Sequence, residues 1–133
     1  QVEAMGALQR GGKIRYWGTS TFPAAEIVEA RTAAARRSAT GPHTEQPPYS
    51  VFCRGAERAV FPTCRNYDVH AVVWAPLNGG WLTGKYRRDQ PPPPASRAER
   101  EPDHFDHAGD WREVKLDLVE RLKQVYHRAH PRA

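Results

Sequence analysis

Apolar positions along the chain change their spacing from helical to extended and back several times. Val2, Met5 and Leu8 recur every third residue, as one face of a helix, and Gly11-Gly12 stops it because glycine suits the left-handed position past a helix end. Lys13 to Thr19 interleaves Ile, Tyr and Trp with Arg and predicts a short strand. Pro23 predicts a helix start at the first helical position, where its missing N–H is harmless, and Ala24 to Arg37 continues it in good helix formers. Gly41-Pro42 ends that helix. His43 to Gln46 is a candidate strand of poor propensity, closed at once by Pro47-Pro48.

Arg54 to Tyr67 predicts a second full helix, with Ala56, Val60, Phe61, Cys64 and Tyr67 on one face. Pro62 inside it predicts a kink or a late start. Val69 to Ala75 is nearly continuous in apolar residues, the pattern of a strand buried on both faces. A stretch without periodicity follows, from about 76 to 110, with Gly79-Gly80 and the run Pro91 to Pro94; loops this long are functional or disordered. Trp111 to His127 predicts a last helix, its face formed by Val114, Leu118, Leu122 and Val125.

Strand and helix therefore alternate three times, which predicts an α/β fold of parallel βα units in one domain over residues 1–133. A closed eight-fold βα barrel takes roughly 250 residues. About three strands cannot close one, and the exposed edges of an open sheet invite association. The chain also opens inside a helical pattern and without Met, which suggests a piece of a longer protein.

Composition narrows the function classes. Of 133 residues 39% are hydrophobic and 26% charged, enough for a modest core. The longest apolar run, around Val72-Val73-Trp74, is far below the ~18 residues of a membrane span, and no secretory signal pattern is visible. Cys53 and Cys64 have neither disulfide-framework nor zinc spacing; two reduced thiols fit a cytoplasmic location. A net charge of +5 raises the question of nucleic acid, but the Lys and Arg residues are scattered among Asp and Glu, and no recognition motif accompanies them. The cluster Asp103, His104, Asp106, His107 and Asp110 has metal-like composition without the spacing of a defined site, and reads as a solvated loop. Gly79, Gly84 and Lys85 imitate a phosphate-binding P-loop, but Tyr86 stands where Ser or Thr should hold Mg²⁺, and prolines replace the helix that should follow.

Four segments line up, in order and spacing, with one family. Gly12-Lys13-Ile14-Arg15-Tyr16-Trp17-Gly18-Thr19-Ser20 resembles the GKIRxxGxS strand of the aldo-keto reductases. Glu45 to Ser50 resembles their next strand end, a Gln followed by a short Tyr-Ser segment. Val73 to Tyr86 is similar to the WSPLxxGxLTGKY signature, and Pro92 to Ala98 to the PPxSRA element after it. The Trp before Pro-Leu is most similar to the branch of potassium-channel β-subunits and related bacterial reductases.

The resemblance implies a partial (β/α)8 TIM barrel, about three βα units of its C-terminal half, with NADP(H) bound at the strands' C-terminal ends. It implies that Ser20 and Thr21 stand in for the Ser-Asn pair that holds the nicotinamide carboxamide, and that Gln46 shares the task. A carboxamide offers one acceptor and two donors, which these side chains can match. Thr21 departs from the family's Asn by losing the amide. Ser20 also reads as a helix N-cap before Pro23. Trp74 would stack on the nicotinamide ring, or else pack at a strand end. Ala75, Pro76, Leu77, Asn78 and Gly79 match the loop that wraps the pyrophosphate, while Lys85, Ser96 and Arg97 match positions near the phosphates. Alone, Lys85 and Arg97 read as surface charges.

In the family a Tyr acid assisted by Lys, Asp and His reduces an aldehyde or ketone with hydride from NADPH. The resemblance places those residues before Gln1, and no Tyr here matches, so no catalytic residue is assigned and the piece alone is expected to be inactive and to bind NADPH weakly. A nucleotide-sensing accessory or degenerate barrel protein is the alternative, and a basic nucleic-acid-binding module a third.

Overall fold

A computed structural model describes residues 1–102 and 110–131. The chain forms two compact units, Gln1–Pro76 and Leu77–Ala133. In the first, helix α1 (Val2–Arg10) precedes strand β1 (Gly18–Ser20), helix α2 (Ala24–Ala35), strand β2 (Thr44–Gln46), helix α3 (Val60–Asn66) and strand β3 (His70–Ala71). The strands pair in parallel in the order β1-β2-β3. Helical connections between parallel neighbours are the βα units expected from the alternation.

Helix α1 ends as its glycines require. Gly12 takes φ 65°, and the N–H groups of Gly12 and Lys13 donate to the carbonyls of Gln9 (3.0 Å) and Leu8 (2.9 Å). Of the expected face, Val2 and Met5 are half-buried, but Leu8 is exposed; the buried residue is Gly6.

The first strand is shorter than the Lys13 to Thr19 run. Residues 13–17 are irregular, and pairing starts where the Trp17 carbonyl accepts from His43 N–H at 2.8 Å. The limit lies in the partner: β2 is confined between Gly41-Pro42 and Pro47-Pro48, and a proline has no N–H to donate. Gly18 lies so close to β2 that a Cβ there would sit 2.5 Å from the Thr44 carbonyl oxygen.

Both helices of this unit also differ from expectation. Pro23 caps α2 rather than occupying its first position, and the helix ends at Ala35, before Arg37. The expected helix Arg54 to Tyr67 divides into a 3-10 turn (Gly55–Glu57) and α3. Pro62 causes the late start: it is the third residue of α3, where backbone N–H groups have no intrahelical acceptor. Cys64 and Ala56 are buried on the expected face, whereas Tyr67 is exposed.

Strand β3 gives the largest correction. Its ladder does run along the expected stretch, with Val72 N–H donating to the Glu45 carbonyl (2.9 Å) and Trp74 N–H to that of Pro47 (3.1 Å). Yet Val72 and Trp74 are exposed, and only Val69 is buried. Among the described residues β3 pairs on one side only, and the exposed Val72 and Trp74 show that the apolar run is not enclosed on both faces. The core of this unit is correspondingly small: Ile27, Cys64 and Val69, with Phe22 and Val60 against them.

The second unit contains a 3-10 segment (Asn78–Thr83), the one-turn helix α4 (Arg97–Arg100) and the long helix α5 (Asp110–Ala129). Trp81 and Tyr86 are buried with ring centroids 5.0 Å apart. Arg88 ties the loop to α5 by pairing with Glu113 and, at 2.6 Å, with Asp117. The side of α5 that is buried carries Leu116 and Val119; Trp111, Val114, Leu118, Leu122 and Val125 are exposed, contrary to the expected face. Lys115, beside the buried residues, sets its ammonium 5.2 Å from the Trp81 ring centroid.

The Gly18 contact makes a direct stability prediction. Gly18→Ala should destabilise the first unit by about 1–3 kcal/mol, since overpacking forces the strands apart. Urea denaturation followed by circular dichroism measures it, and an unchanged midpoint would show that the close β1–β2 approach is not rigid.

Candidate functional site

Parallel pairing sets Thr19 opposite Glu45 and Ser20 opposite Gln46. Alternate residues of a strand point to opposite faces, so Glu45 turns inward, fully buried, and Gln46 outward, exposed. Ser20 and Thr21 are exposed as well. At the third strand Trp74 bridges to Pro48, and its side chain is 45% exposed. The carboxyl ends of three strands thereby present a hydroxyl pair, an amide and an aromatic ring along one edge of the sheet.

The Gln46 carbonyl oxygen joins two of these ends. It accepts from Thr21 N–H at 3.1 Å and from Ser20 Oγ at 3.2 Å. With its proton so committed, the Ser20 hydroxyl offers lone pairs to an outside donor, as a carboxamide N–H would need. Ser20 does not cap α2; Pro23 occupies that position without any side-chain cap. Thr21 adopts φ 61°, and Ala75, after β3, adopts φ 54°. A left-handed backbone costs a residue with a side chain about 1–2 kcal/mol, so both turns are held by their surroundings.

Two hydrogen-bonded polar groups belong to the same unit. The Glu45 carboxylate accepts from Thr19 Oγ1 and, at 3.0 Å, from Phe22 N–H. Beyond β2, Tyr49 donates to Glu57 Oε1 at 2.6 Å, while Arg54 grips both Glu57 oxygens at 2.8 and 3.0 Å. Hydrogen bonds from Arg54, then from Tyr49, hold the Glu57 carboxyl below the usual carboxylate range. The same bond to Glu57, with burial next, raises the Tyr49 phenol. Burial, reinforced by the charge of Glu45, pushes the Cys64 thiol up, away from reactivity.

In the second unit Asn78, Gly79 and Gly80 all adopt positive φ (49°, 66° and 98°), and Gly84 follows at 71°. These consecutive left-handed residues close a tight turn, in which the Gly80 N–H donates to the Leu77 carbonyl at 3.0 Å. A Cβ on Gly80 would lie 2.9 Å from Lys85 Cε, so the glycine lets that side chain cross the turn. Leu77 is exposed, and the Lys85 ammonium lies 5.2 Å from the Tyr86 ring centroid. Ser96 is 5% exposed, and its hydroxyl accepts from Glu99 N–H at 3.3 Å as the N-cap of α4. Arg97 is exposed, 3.8 Å from Glu101.

The structure thus brings Ser20, Thr21, Gln46, Trp74, Ala75 and Pro76 into one unit and Leu77, Asn78, Gly79, Lys85, Ser96 and Arg97 into the other. Sequence reasoning passed over Glu45 and Thr19. Their signal was present: a carboxylate inside a strand that must be buried requires donors nearby. Of the cluster Asp103, His104, Asp106, His107 and Asp110, the first four lie outside the described residues, and Asp110 is the first residue of α5.

The family model for the aldo/keto reductase family matches residues 1–132. A probable voltage-gated potassium channel subunit beta of Arabidopsis thaliana is 41% identical over 88 residues, 65% of this chain and 27% of that protein. An uncharacterized oxidoreductase of Bacillus subtilis is 41% identical over 83 residues, 62% of this chain and 26% of that protein. The chain therefore spans about a quarter of the length of these curated relatives. Among solved structures, the glycerol dehydrogenase of Gluconobacter oxydans superposes with a TM-score of 0.71 at 23% identity, covering 95% of this chain and 36% of that one. The fold is part of an aldo-keto reductase (β/α)8 barrel.

The Tyr49–Glu57–Arg54 group predicts a pH dependence. A carboxyl whose folded pKa is depressed contributes stability above its unfolded pKa and loses it as pH falls through the folded one. Glu57 therefore contributes at neutral pH and ceases to below the ordinary carboxylate range. Tyr49→Phe should raise the Glu57 pKa toward its ordinary value in a carboxyl NMR titration. An unmoved titration would show that the phenol does not bond to Glu57 in solution.

Proposed function

The chain belongs to the aldo/keto reductase family, and on that premise we propose that it carries the nicotinamide shelf and the pyrophosphate loop of an NADPH-dependent reductase of aldehydes or ketones. The observation that carries the reading is the in-register pair Ser20 and Gln46, both exposed at adjacent strand ends and linked through the Gln46 carbonyl.

The residues present fit the cofactor. Ser20 and Gln46 offer the acceptor and donor pattern of a carboxamide, and the Thr21 hydroxyl adds one donor and one acceptor where the family has an amide. Trp74, half-exposed beside them, supplies a flat apolar face for the ring and keeps water from it. The left-handed turn at Asn78 and Gly79 lets the backbone approach the pyrophosphate closely, with Lys85 and, from α4, Arg97 as cations. Ser96 contributes by capping α4 and so placing Arg97. When bound, the cofactor supplies hydride to a carbonyl carbon. The chain's own task is to bind and orient it.

Proton transfer is assigned to residues outside these 133. Tyr49 donates to Glu57, and Tyr16 lies edge-on to the His43 ring (4.8 Å between centroids). We accordingly expect the 133-residue polypeptide to be inactive alone, and the activity of the whole protein to be cytoplasmic carbonyl reduction. The likeness to proteins named as potassium channel β subunits favours one second reading, an accessory subunit that senses the nucleotide.

Titration of NADPH fluorescence decides the cofactor assignment. The chain should bind with a dissociation constant weaker than about 1 µM, that is, by less than about 8 kcal/mol. Trp74→Ala should weaken binding a further two- to tenfold, roughly the 0.5–1.5 kcal/mol of a ring contact. No binding at millimolar NADPH would overturn the cofactor reading. Turnover by a longer polypeptide that contains these residues would favour the enzyme over the accessory subunit.

A further inference from the structure

We propose that Glu45, which the family resemblance gives no role, is the positioning residue of the shelf: its carboxylate closes the Thr19–Phe22 turn from beneath and thereby sets Ser20 and Thr21. The proposal rests on the cofactor reading for its purpose, although not for its geometry.

Glu45 is 0% exposed, and no Lys or Arg pairs with it among the described residues. A buried carboxylate in that position depends on hydrogen-bond donors. Both donors come from one short segment: Thr19 Oγ1 to Oε2, and Phe22 N–H to Oε1 at 3.0 Å. They lie immediately on either side of Ser20 and Thr21, the two residues that face outward. The Gln46 backbone holds the same two residues from the neighbouring position, through Thr21 N–H at 3.1 Å and Ser20 Oγ at 3.2 Å. Thr21 stands at φ 61°, a conformation it does not favour on its own. The adjacent residues Glu45 and Gln46 thus clamp one turn from inside and outside the sheet. Without the carboxylate, the Phe22 N–H loses its acceptor and the backbone is free to leave the left-handed region.

Amide hydrogen exchange of the 133-residue chain tests this without the cofactor. Glu45→Met keeps the length and packing of the side chain but removes both acceptors. The amides of Thr21 and Phe22 should then exchange about tenfold faster or more, while those of Ile27 and Val72 keep their wild-type rates. Glu45→Gln should restore slow exchange, because its amide oxygen can accept from Phe22 N–H and its amide nitrogen can donate to Thr19. The NADPH dissociation constant should follow, rising about tenfold in Glu45→Met and returning in Glu45→Gln. Unchanged exchange at Thr21 and Phe22, or equal acceleration at all four amides, would overturn the proposal in favour of no role or a merely structural one. Should Glu45→Met fail to fold, Thr19→Val against Thr19→Ser decides: loosening of Thr21 in the first alone supports the clamp, and equal behaviour overturns it. Failure of wild-type NADPH binding sinks the cofactor reading separately, and the exchange rates still judge the clamp.

Discussion

Strand β2 is only three residues long, with prolines on each side of it, and only a few flanking backbone bonds such as His43 to Trp17 and Trp74 to Pro47 extend its ladders. So brief a ladder cannot by backbone bonds alone fix where the chain goes after each strand ends. Side chains and carbonyls at the register Thr19↔Glu45 and Ser20↔Gln46 take over that task. Every candidate group of the first unit depends on this pairing: Ser20 and Thr21 directly, Gln46 by lying on β2, and Trp74 through its bridge to Pro48. The close approach of Gly18 to Thr44 is the steric side of the same constraint.

The order of elements in the first unit was legible from spacing and from Gly and Pro alone, because helix stops and starts are local chemistry. Gly12 and Pro62 act as their residue types dictate. Strand lengths were not legible, since they depend on what a partner can donate: the Lys13 to Trp17 segment alternates like a strand but faces a stretch closed by Gly41-Pro42. The face of α5 was not legible either. Val114, Leu118, Leu122 and Val125 form a regular stripe, yet the helix buries Leu116 and Val119 instead. Periodicity reports that a helix has an apolar side, and it does not report which neighbour meets that side.

The candidate site was legible as residue types and motif order, less so as roles. Ser20, Gln46 and Trp74 emerge together at the strand ends, while Ser96, which the motif groups with Arg97, proves to be a buried helix cap. A Ser three residues before Glu99 is also a capping pattern, so the local signal was there beside the family one. The two readings agree in consequence, since the cap orders the turn that carries Arg97.

Glu45 and Gln46 illustrate how a strand of three residues can serve both fold and site. Successive side chains point to opposite faces, so one residue is buried in the unit and the next is open to solvent. Thr19 and Ser20 repeat the arrangement on β1, half-buried and exposed. The inward pair is joined by a hydrogen bond to a buried carboxylate, and the outward pair by the Gln46 carbonyl. A change in the register by one residue would exchange the two pairs, placing the amide inside and the carboxylate in the shelf. In the proposed cofactor site the negative charge would then face a carboxamide oxygen that requires a donor. The register that satisfies the buried carboxylate is therefore also the one that leaves Ser20 and Gln46 where a neutral amide can be recognised.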